Sequence, residues 1–264
     1  MILLANIGNT NLTYGIYHTK MIATERFPMI ALSDRHCIEK LCLSLMEKFH
    51  LSMEQMEGVA LSSVVPEKTP LFMEVLQHFF SIEPILISDS TDWGLDRSEY
   101  SGILGSDRLL CCKAALKKYQ PPFIVVDYGT ATTMNVINQS GAFAGGVILP
   151  GVMTGMQALA ARTSQLNTVA LTNPKNVIGK NTTECMLSGA IYGTAALIEG
   201  LVRRIQDELE ADTPVILTGG NSEAIIPYCT LPFQYEPVLL LEGLAMIYTE
   251  IIQNKSKGEL YEFK

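Results

Sequence analysis

The chain has 264 residues, of which 48% are hydrophobic and 17% charged, a composition typical of a compact globular protein and not of a disordered one. This length allows one large domain or two domains of about 100–150 residues each. The formal net charge of −8 disfavours nonspecific binding to nucleic acid. A phosphate ligand would therefore be held by local amides, a metal and a few cations.

The six cysteines show no paired spacing typical of metal ligands, and most lie in apolar, helix-like runs. We expect reduced cysteines that pack as small hydrophobic side chains. Met1 leads directly into a predicted strand, without a basic region and a cleavable apolar segment. No apolar run reaches the roughly 20 residues that span a bilayer, so we expect a cytoplasmic protein without a membrane segment.

Two stretches of the chain share one pattern, an apolar strand followed by a polar residue, a spacer, a glycine and small polar residues. The first runs from Ile2 to Asn11 and the second from Phe123 to Thr133. When Asn6 is placed on Asp127, Gly8 falls on Gly129. In each case the glycine allows a sharp turn and the close approach of a ligand, while the following amides and hydroxyls can donate to phosphate oxygens.

This repetition predicts a duplicated half, with two strand-turn-strand units that hold the phosphate tail of a nucleotide between them. The simpler interpretation, two ordinary glycine hairpins, stays open for either turn alone. After each turn a second strand is predicted, and the first of these, Leu12 to Tyr17, is followed by a hairpin partner from Met21 to Phe27.

The region between the two repeats alternates helices and strands, which favours an α/β architecture. Asp34 is predicted to cap an amphipathic helix whose function is core packing. An apolar strand from Gly58 to Val65 ends in serines, and Pro66 is predicted to begin the next helix. A short strand over 84–87 follows.

The polar stretch from Ser88 to Gly102 is predicted to be a surface loop, and a connection of this length is often a binding loop or a lid. It carries Trp93, the single tryptophan. Gly105-Ser106-Asp107-Arg108 then opens a helix. In the first turn of that helix, Asp107 has two interpretations, stabilisation of the helix dipole or a functional role.

In the C-terminal half a polar turn over 177–184 leads into a long helix, where Thr182 is either a helix cap or a functional residue. Gly189 and Gly193 on this helix predict the tight packing of another element. The glycine pair at 219–220 follows a strand, which suits either an ordinary turn or the base and ribose of a nucleotide. A closing helix is predicted over 239–252, with a frayed tail over 255–264.

Seven short motifs in this order resemble those of type III pantothenate kinases, and together they span nearly the whole chain. They are Gly-Asn-Thr at 8–10, Gly-Ser-Asp-Arg at 105–108, Asp-Tyr-Gly-Thr-Ala-Thr-Thr at 127–133, Gly-Gly-Val-Ile-Leu-Pro-Gly at 145–151, Ile-Gly-Lys-Asn-Thr at 178–182, Thr-Gly-Gly at 218–220 and Leu-Glu-Gly-Leu at 241–244. The family belongs to the acetate and sugar kinase/actin-like ATPase superfamily. The resemblance thus implies two duplicated ribonuclease-H-like α/β domains with a cleft between them, expected over 1–118 and 119–264.

The resemblance further implies ATP-dependent phosphorylation of pantothenate to 4'-phosphopantothenate, the first step towards coenzyme A. It implies a homodimer that requires Mg²⁺ as the divalent metal and a monovalent cation, K⁺ or NH₄⁺. Asp107 would be the general base that takes the proton from the pantothenate hydroxyl. Pantothenate would be bound by Tyr100, Gly105, Ser106, Asp107, Arg108 and Thr182. ATP would be bound by Asn6, Ile7, Gly8, Asn9, Thr10, Asn11, Leu12, Thr13 and Thr130, and Asp127 would hold the monovalent cation.

The chain departs from the family pattern at two places. Asn6 stands where the family has aspartate, and a neutral amide is a poorer partner for Mg²⁺ than a carboxylate. Before Gly105 the family shows a tyrosine and then a proline, whereas here Tyr100 lies about two places closer to the glycine and Ser101 takes the place of the proline. Two alternatives stay open: a catalytically impaired homologue that binds nucleotide or acts as a regulator, and a kinase for another small hydroxyl compound.

Overall fold

The computed structural model describes residues 1–256, and these residues form an α/β fold. The strands are β1 (Ile2–Ile7), β2 (Asn11–Tyr17), β3 (Met21–Pro28), β4 (Gly58–Ser63), β5 (Ile85–Ile87), β6 (Phe123–Tyr128), β7 (Ala131–Ile137), β8 (Phe143–Pro150), β9 (Val215–Thr218) and β10 (Gln234–Tyr235). The helices are α1 (Arg35–Lys48), α2 (Thr69–Phe80), α3 (Ser106–Lys118), α4 (Val152–Arg162), α5 (Thr182–Leu209), α6 (Ser222–Ile225) and α7 (Leu239–Ser256). The predicted tail beyond residue 256 lies outside the described residues.

The chain divides into two compact units. The first unit comprises Met1–Gly94, Gly102–Ala114 and the described residues from Val238 onward, and the second comprises Leu95–Ser101 and Ala115–Pro237. This division differs from the expected ranges 1–118 and 119–264, because helix α7 and the short segment 95–101 each group with the other half, and because the boundary falls within α3, after Ala114. The two expected ranges stay a prediction.

The first unit is built on a five-stranded sheet of order β3-β2-β1-β4-β5. Strand β1 pairs antiparallel with β2 and parallel with β4. Five of the six residues of β1 are buried, as expected of a central strand that is covered on both faces. Alternate residues such as Leu3, Ala5 and Ile7 pack into one cluster with side chains of α1 and α2, and this leaves Asn6 on the other face of the sheet.

The second unit repeats the same arrangement, with a sheet of order β8-β7-β6-β9-β10. Strand β6 pairs antiparallel with β7 and parallel with β9, as β1 does with β2 and β4. Asn6 is registered with Ser62 on β4, and Asp127 is registered with Thr218 on β9. The predicted equivalence of Asn6 and Asp127 is therefore confirmed by the topology, and with it the duplicated fold.

The helix starts test several local predictions. Asp34 caps α1 as predicted, since its Oδ1 accepts a hydrogen bond of 3.0 Å from the amide of Cys37. The prediction for Pro66 is wrong: α2 begins at Thr69, and Pro70 occupies its first turn, where the missing amide hydrogen costs nothing. The side chain of Trp93 is buried, so the loop around it is only partly a surface loop.

Helix α5 is capped by Asn181, whose side chain accepts a hydrogen bond from the amide of Glu184, and so Thr182 is not the cap. A Cβ atom added to Gly189 or Gly193 would meet nothing within 4 Å, and the predicted tight packing on these glycines is wrong within the described chain. By length and composition alone α5 is apolar enough to cross a membrane. Its buried residues lie in the core of the second unit, and the core helix of a soluble protein passes the same test.

Candidate active site

The turn between β1 and β2 in the first unit is closed by a hydrogen bond of 3.0 Å from the amide of Gly8 to the carbonyl of Asn11. A Cβ atom at Gly8 would lie 2.9 Å from that carbonyl oxygen, which is too close, and this explains why the turn has glycine at this position. Residues 9–11 are exposed at the surface of the first unit. The side chains of Ile7 and Leu12 lie in the core, and in a nucleotide site these two residues therefore contribute only backbone groups.

Asn6 lies at the end of β1, directly before this turn. It is 6% exposed, and within residues 1–256 its Oδ1 atom has no hydrogen-bond partner. An unsatisfied buried acceptor is costly, and it is typical of a position that a ligand or an ordered water completes. The geometry therefore agrees with a role for Asn6 in ligand binding, and the acceptor that it presents is neutral.

Ser62 links this strand end to the start of α3. It lies beside Asn6 in the register of β1 and β4, and its Oγ is 2.8 Å from the Oγ of Ser106, the first residue of α3. Ser62 is 0% exposed and Ser106 is 4% exposed. Strand β4, the neighbour of the predicted ATP strand β1, is thus joined to the predicted substrate helix in the first unit by a buried hydrogen bond.

Asp107 is half-buried in the first turn of α3, and its Oδ1 accepts a hydrogen bond of 2.8 Å from the amide of Arg108. Burial raises the pKa of this carboxyl above its usual value, while the amide and the guanidinium of Arg108 act in the opposite direction. A Cβ atom at Gly105 would lie 2.6 Å from the same Oδ1, so the glycine makes room for the carboxylate. A carboxylate with a raised pKa is a stronger base, as removal of a hydroxyl proton requires.

The turn between β6 and β7 in the second unit is closed by a hydrogen bond of 3.1 Å from the amide of Gly129 to the carbonyl of Ala131. The carbonyl of Thr130 accepts hydrogen bonds from the amide of Gly151, at 3.0 Å, and from Oγ1 of Thr154, at 2.7 Å. A Cβ atom at Gly151 would lie 2.3 Å from the carbonyl oxygen of Gly129. The start of α4 therefore fixes this turn, while the side chain of Thr130 stays exposed.

Asp127 lies at the end of β6, beside the glycine that follows β9. Gly219 has a φ of +99°, and a Cβ atom there would lie 2.3 Å from Oδ1 of Asp127. Asn221 donates from its amide to the carbonyl of Tyr128 at 3.0 Å and from Nδ2 to the carbonyl of Gly129 at 3.3 Å. The Asp127 carboxylate lies next to this turn in the sequence, and a carboxylate oxygen is a ligand that suits a hard cation.

The remaining predicted substrate residues, Tyr100 and Thr182, belong to the second unit, whereas 105–108 belongs to the first. The ring of Tyr100 packs edge-on against Phe143, with centroids 5.3 Å apart. Thr182 is exposed at the start of α5, and the cap formed by Asn181 leaves its hydroxyl open to a ligand. Within each unit the structure thus brings together only part of the predicted set.

Sequence reasoning missed three residues that shape these sites. Ser62 and Asn221 carry no motif of their own, and their roles follow only from strand pairing and from the contacts of the turn. Gly151 belongs to a recognised motif, but the need for glycine there comes from the close approach of residues 129–130, which only the structure reveals. The signal in the sequence was limited to polar residues directly after predicted strands.

The family model for type III pantothenate kinase matches residues 2–204. The chain belongs to the type III pantothenate kinase family. A type III pantothenate kinase from Thermomicrobium roseum is 37% identical over 257 residues, which cover 94% of this chain and 96% of the relative. One from a Roseiflexus species is 38% identical over 255 residues, with 94% of this chain and 98% of the relative covered.

Solved structures with similar folds carry little sequence identity to this chain. An activator of 2-hydroxyisocaproyl-CoA dehydratase from Clostridium difficile, with bound ADPNP, has a TM-score of 0.56 at 12% identity and covers 100% of this chain and 99% of its own. MreB5 of Spiroplasma citri, bound to ADP, has a TM-score of 0.50 at 11% identity and covers 97% and 98%. At these identities the likeness shows the fold alone, the duplicated α/β fold of the actin-like ATPases.

Proposed function

We propose that the protein transfers the terminal phosphoryl group of ATP to the hydroxyl of pantothenate, which gives 4'-phosphopantothenate and begins the route to coenzyme A. Family membership supports the substrate pair. The observation that carries the chemistry is the half-buried carboxylate of Asp107 in the first turn of α3, whose pKa is raised by burial.

In this proposal Asp107 takes the proton from the hydroxyl of pantothenate as the oxygen attacks the phosphoryl group. Gly105 and Ser106 position the acceptor beside it, and Arg108 supplies positive charge for the carboxylate of pantothenate or for the transferred group. Tyr100 and Thr182 provide the further contacts to the substrate. Phosphoryl transfer depends mainly on such positioning and on charge stabilisation.

ATP is assigned to residues 6–13 and to Thr130. The two glycine turns carry the exposed polar residues 9–11 and Thr130, and amides and hydroxyls are the groups that hold phosphate oxygens. Mg²⁺ bound to the nucleotide would neutralise charge on the phosphates. Among the described residues no group of three or more His, Cys, Asp or Glu side chains is suited to a metal. We assign the unsatisfied, buried Oδ1 of Asn6 to a Mg²⁺ ion that the phosphates hold, contacted directly or through water.

The monovalent cation, K⁺ or NH₄⁺, is assigned to Asp127. Its carboxylate supplies the negative charge, and the neighbouring backbone carbonyls supply neutral oxygens. The test is a comparison of turnover in K⁺, NH₄⁺ and Na⁺ buffers, in which Asp127→Asn loses the dependence on the cation. A variant that responds to K⁺ as the wild type does would remove this assignment.

We further propose a cytoplasmic homodimer, with no nucleic acid or membrane among its partners. Exposed Gly189, Gly193 and Leu197 follow one another along one face of α5 and offer a flat apolar surface, which supports the dimer. Light scattering on the purified protein measures the mass directly. A mass of one chain at micromolar concentration would contradict the dimer.

The decisive experiment is an assay of the purified protein with ATP, Mg²⁺, K⁺ and pantothenate, with phosphopantothenate as the measured product. We expect turnover in the wild type and a loss of at least about 100-fold in kcat for Asp107→Asn, which is the low end for general-base catalysis. A variant Asp107→Asn with unchanged kcat would remove the assignment of the base. A panel of other small alcohols in the same assay tests whether the altered loop around Tyr100 has changed the acceptor.

One observation favours a second function, a nucleotide-binding homologue with impaired catalysis. Asn6 presents a neutral oxygen at a position whose duplicate in the second unit, Asp127, carries a charge. The discriminating variant is Asn6→Asp, because it restores the carboxylate without a change of shape. No turnover in the wild type together with turnover in Asn6→Asp would establish the impaired homologue, whereas turnover in the wild type excludes it.

A further inference from the structure

We propose that Ser62 is a positioning residue for phosphoryl transfer, because its hydrogen bond to Ser106 fixes the first turn of α3 and so directs the carboxylate of Asp107. This inference rests on the function proposed above. Ser62 would touch neither the nucleotide nor the acceptor, and it would act through the helix that carries the base.

The hydrogen bond joins two segments that are far apart in the sequence. Oγ of Ser62 and Oγ of Ser106 are 2.8 Å apart across 44 residues of chain, and both side chains are almost fully buried. In such surroundings water does not replace a lost partner, so the removal of one hydroxyl leaves the other unsatisfied. The contact therefore restrains the start of α3 more strongly than an exposed hydrogen bond would.

The strand side of this contact is rigid. Ser62 lies within β4, which is paired along its length with β1, and the amide of Val64 continues the ladder with a hydrogen bond of 3.0 Å to the carbonyl of Ile7. The same pairing places Ser62 beside Asn6. Ser62 thus couples the position of the Asp107 carboxylate to strand β1, which leads into the predicted phosphate-binding turn.

The helix side is approached by an exposed segment, through Gly102, which has a φ of +102°, and Ile103, whose side chain is 87% exposed. Leu104, which is 1% exposed, and the buried side chains from Leu109 onward hold the body of α3 in the core. The contact with Ser62 adds a directional hydrogen bond at the first residue of the helix, directly before Asp107. Asp107 follows Ser106 directly, so a shift of Ser106 moves the carboxylate by a similar distance. A misplacement of about 1 Å is enough to lower kcat roughly 100-fold.

The test compares Ser62→Ala with Ser62→Thr and with the matched control Ser188→Ala. Threonine keeps the hydroxyl, and the equivalent position of the second unit, Thr218, shows that this strand position accepts it. Ser188 is a buried serine of the second unit whose Oγ donates to the carbonyl of Val177, so its replacement also removes one buried hydrogen bond. Each variant is measured for kcat, for KM of both substrates, for the pH dependence of kcat/KM and for Tm.

We expect Ser62→Ala to lower kcat about 10-fold to 100-fold with KM for ATP unchanged, as follows from a displaced base. The acid limb of its kcat/KM profile should move to lower pH, because a carboxylate released from its half-buried position becomes better solvated. Ser62→Thr should have the kcat of the wild type and an acid limb at the same pH as the wild type. Ser188→Ala should lower Tm and leave kcat and the limb unchanged.

The positioning role is overturned if Ser62→Ala has a lower Tm, as Ser188→Ala does, but keeps the kcat and the acid limb of the wild type. If Ser62→Ala does not fold, Ser62→Cys takes its place, since its thiol is a weak hydrogen-bond partner. A kcat of Ser62→Cys equal to that of Ser62→Thr would then overturn the inference. Failure of the wild type to turn over refutes the proposed function itself, which is a separate and earlier readout.

Discussion

Replacement of Asp107 by asparagine should stabilise the protein while it removes activity. The carboxyl of Asp107 is half-buried, and burial is the largest influence on its pKa, which lies above the usual value of 3.8. Asparagine has the same shape and keeps an Oδ1 atom that can accept the hydrogen bond from the amide of Arg108. Because the amide carries no charge, the variant avoids the desolvation of an ionised group.

The sign and the scale follow from proton linkage. A raised pKa in the folded protein means that the folded state holds the proton more tightly than the unfolded state does. The stability that the protonated carboxyl provides is complete below the unfolded pKa and is lost as the pH rises through the folded pKa. Each unit of the pKa difference corresponds to about 1.4 kcal/mol, or a Tm change of roughly 2–4 °C for a protein of this size.

Thermal unfolding of the wild type and of Asp107→Asn from about pH 3, below the usual carboxyl pKa, up to about pH 8 measures this effect. We expect the Tm of the variant to exceed that of the wild type, with a difference that grows as the pH rises and then levels off. Asp34→Asn is the matched control, because the amide of Cys37 lowers the pKa of this exposed helix cap and the sign is reversed. A lower Tm for Asp107→Asn at neutral pH, or a difference that does not depend on pH, would refute the reasoning.

Two further predictions concern the second unit. Gly151→Ala should lower the free energy of unfolding by about 1–3 kcal/mol and weaken ATP binding, because its Cβ would displace residues 129–130. Gly155→Ala, in the same helix but with nothing within 4 Å, should keep or raise Tm, and equal melting curves for the two variants would contradict the argument. Tyr100→Ala should lose the edge-to-face contact with Phe143, worth about 0.5–1.5 kcal/mol as measured by chemical denaturation, whereas Tyr100→Phe keeps the ring and should lose less stability than Tyr100→Ala. If Tyr100→Phe nevertheless raises KM for pantothenate, the hydroxyl contacts the substrate.

The sequence predicted those parts of the fold that are encoded locally. Buried strands, the glycine turns at 8 and 129 and the cap at Asp34 are each specified by a few consecutive residues, and all are confirmed. The duplication was predicted for the same reason, since it is a repetition of one local pattern. Where two local signals lie within a few residues, the sequence did not decide between them. Asn181 caps α5, which removes the cap interpretation of Thr182, and the prediction for Pro66 is wrong because α2 begins at Thr69, with Pro70 in its first turn.

The features that no local pattern encodes are those that distinguish the two halves of the duplication. Strand pairing places Ser62 beside Asn6 and Thr218 beside Asp127, so each half ends its central strands in one amide or carboxylate and one hydroxyl. In the first unit the hydroxyl of Ser62 is hydrogen-bonded to Ser106 at the start of α3. Among the described residues the amide oxygen of Asn6 has no hydrogen-bond partner. In the second unit the carboxylate of Asp127 lies against Gly219, and a side chain at position 219 would collide with it. The two halves of the duplicated fold thus end in different groups, a neutral amide in the first unit and a carboxylate in the second, which accords with the phosphate and cation sites proposed above. The contacts that distinguish the two ends, those of Ser62 and Gly219, are long-range and cannot be predicted from local sequence.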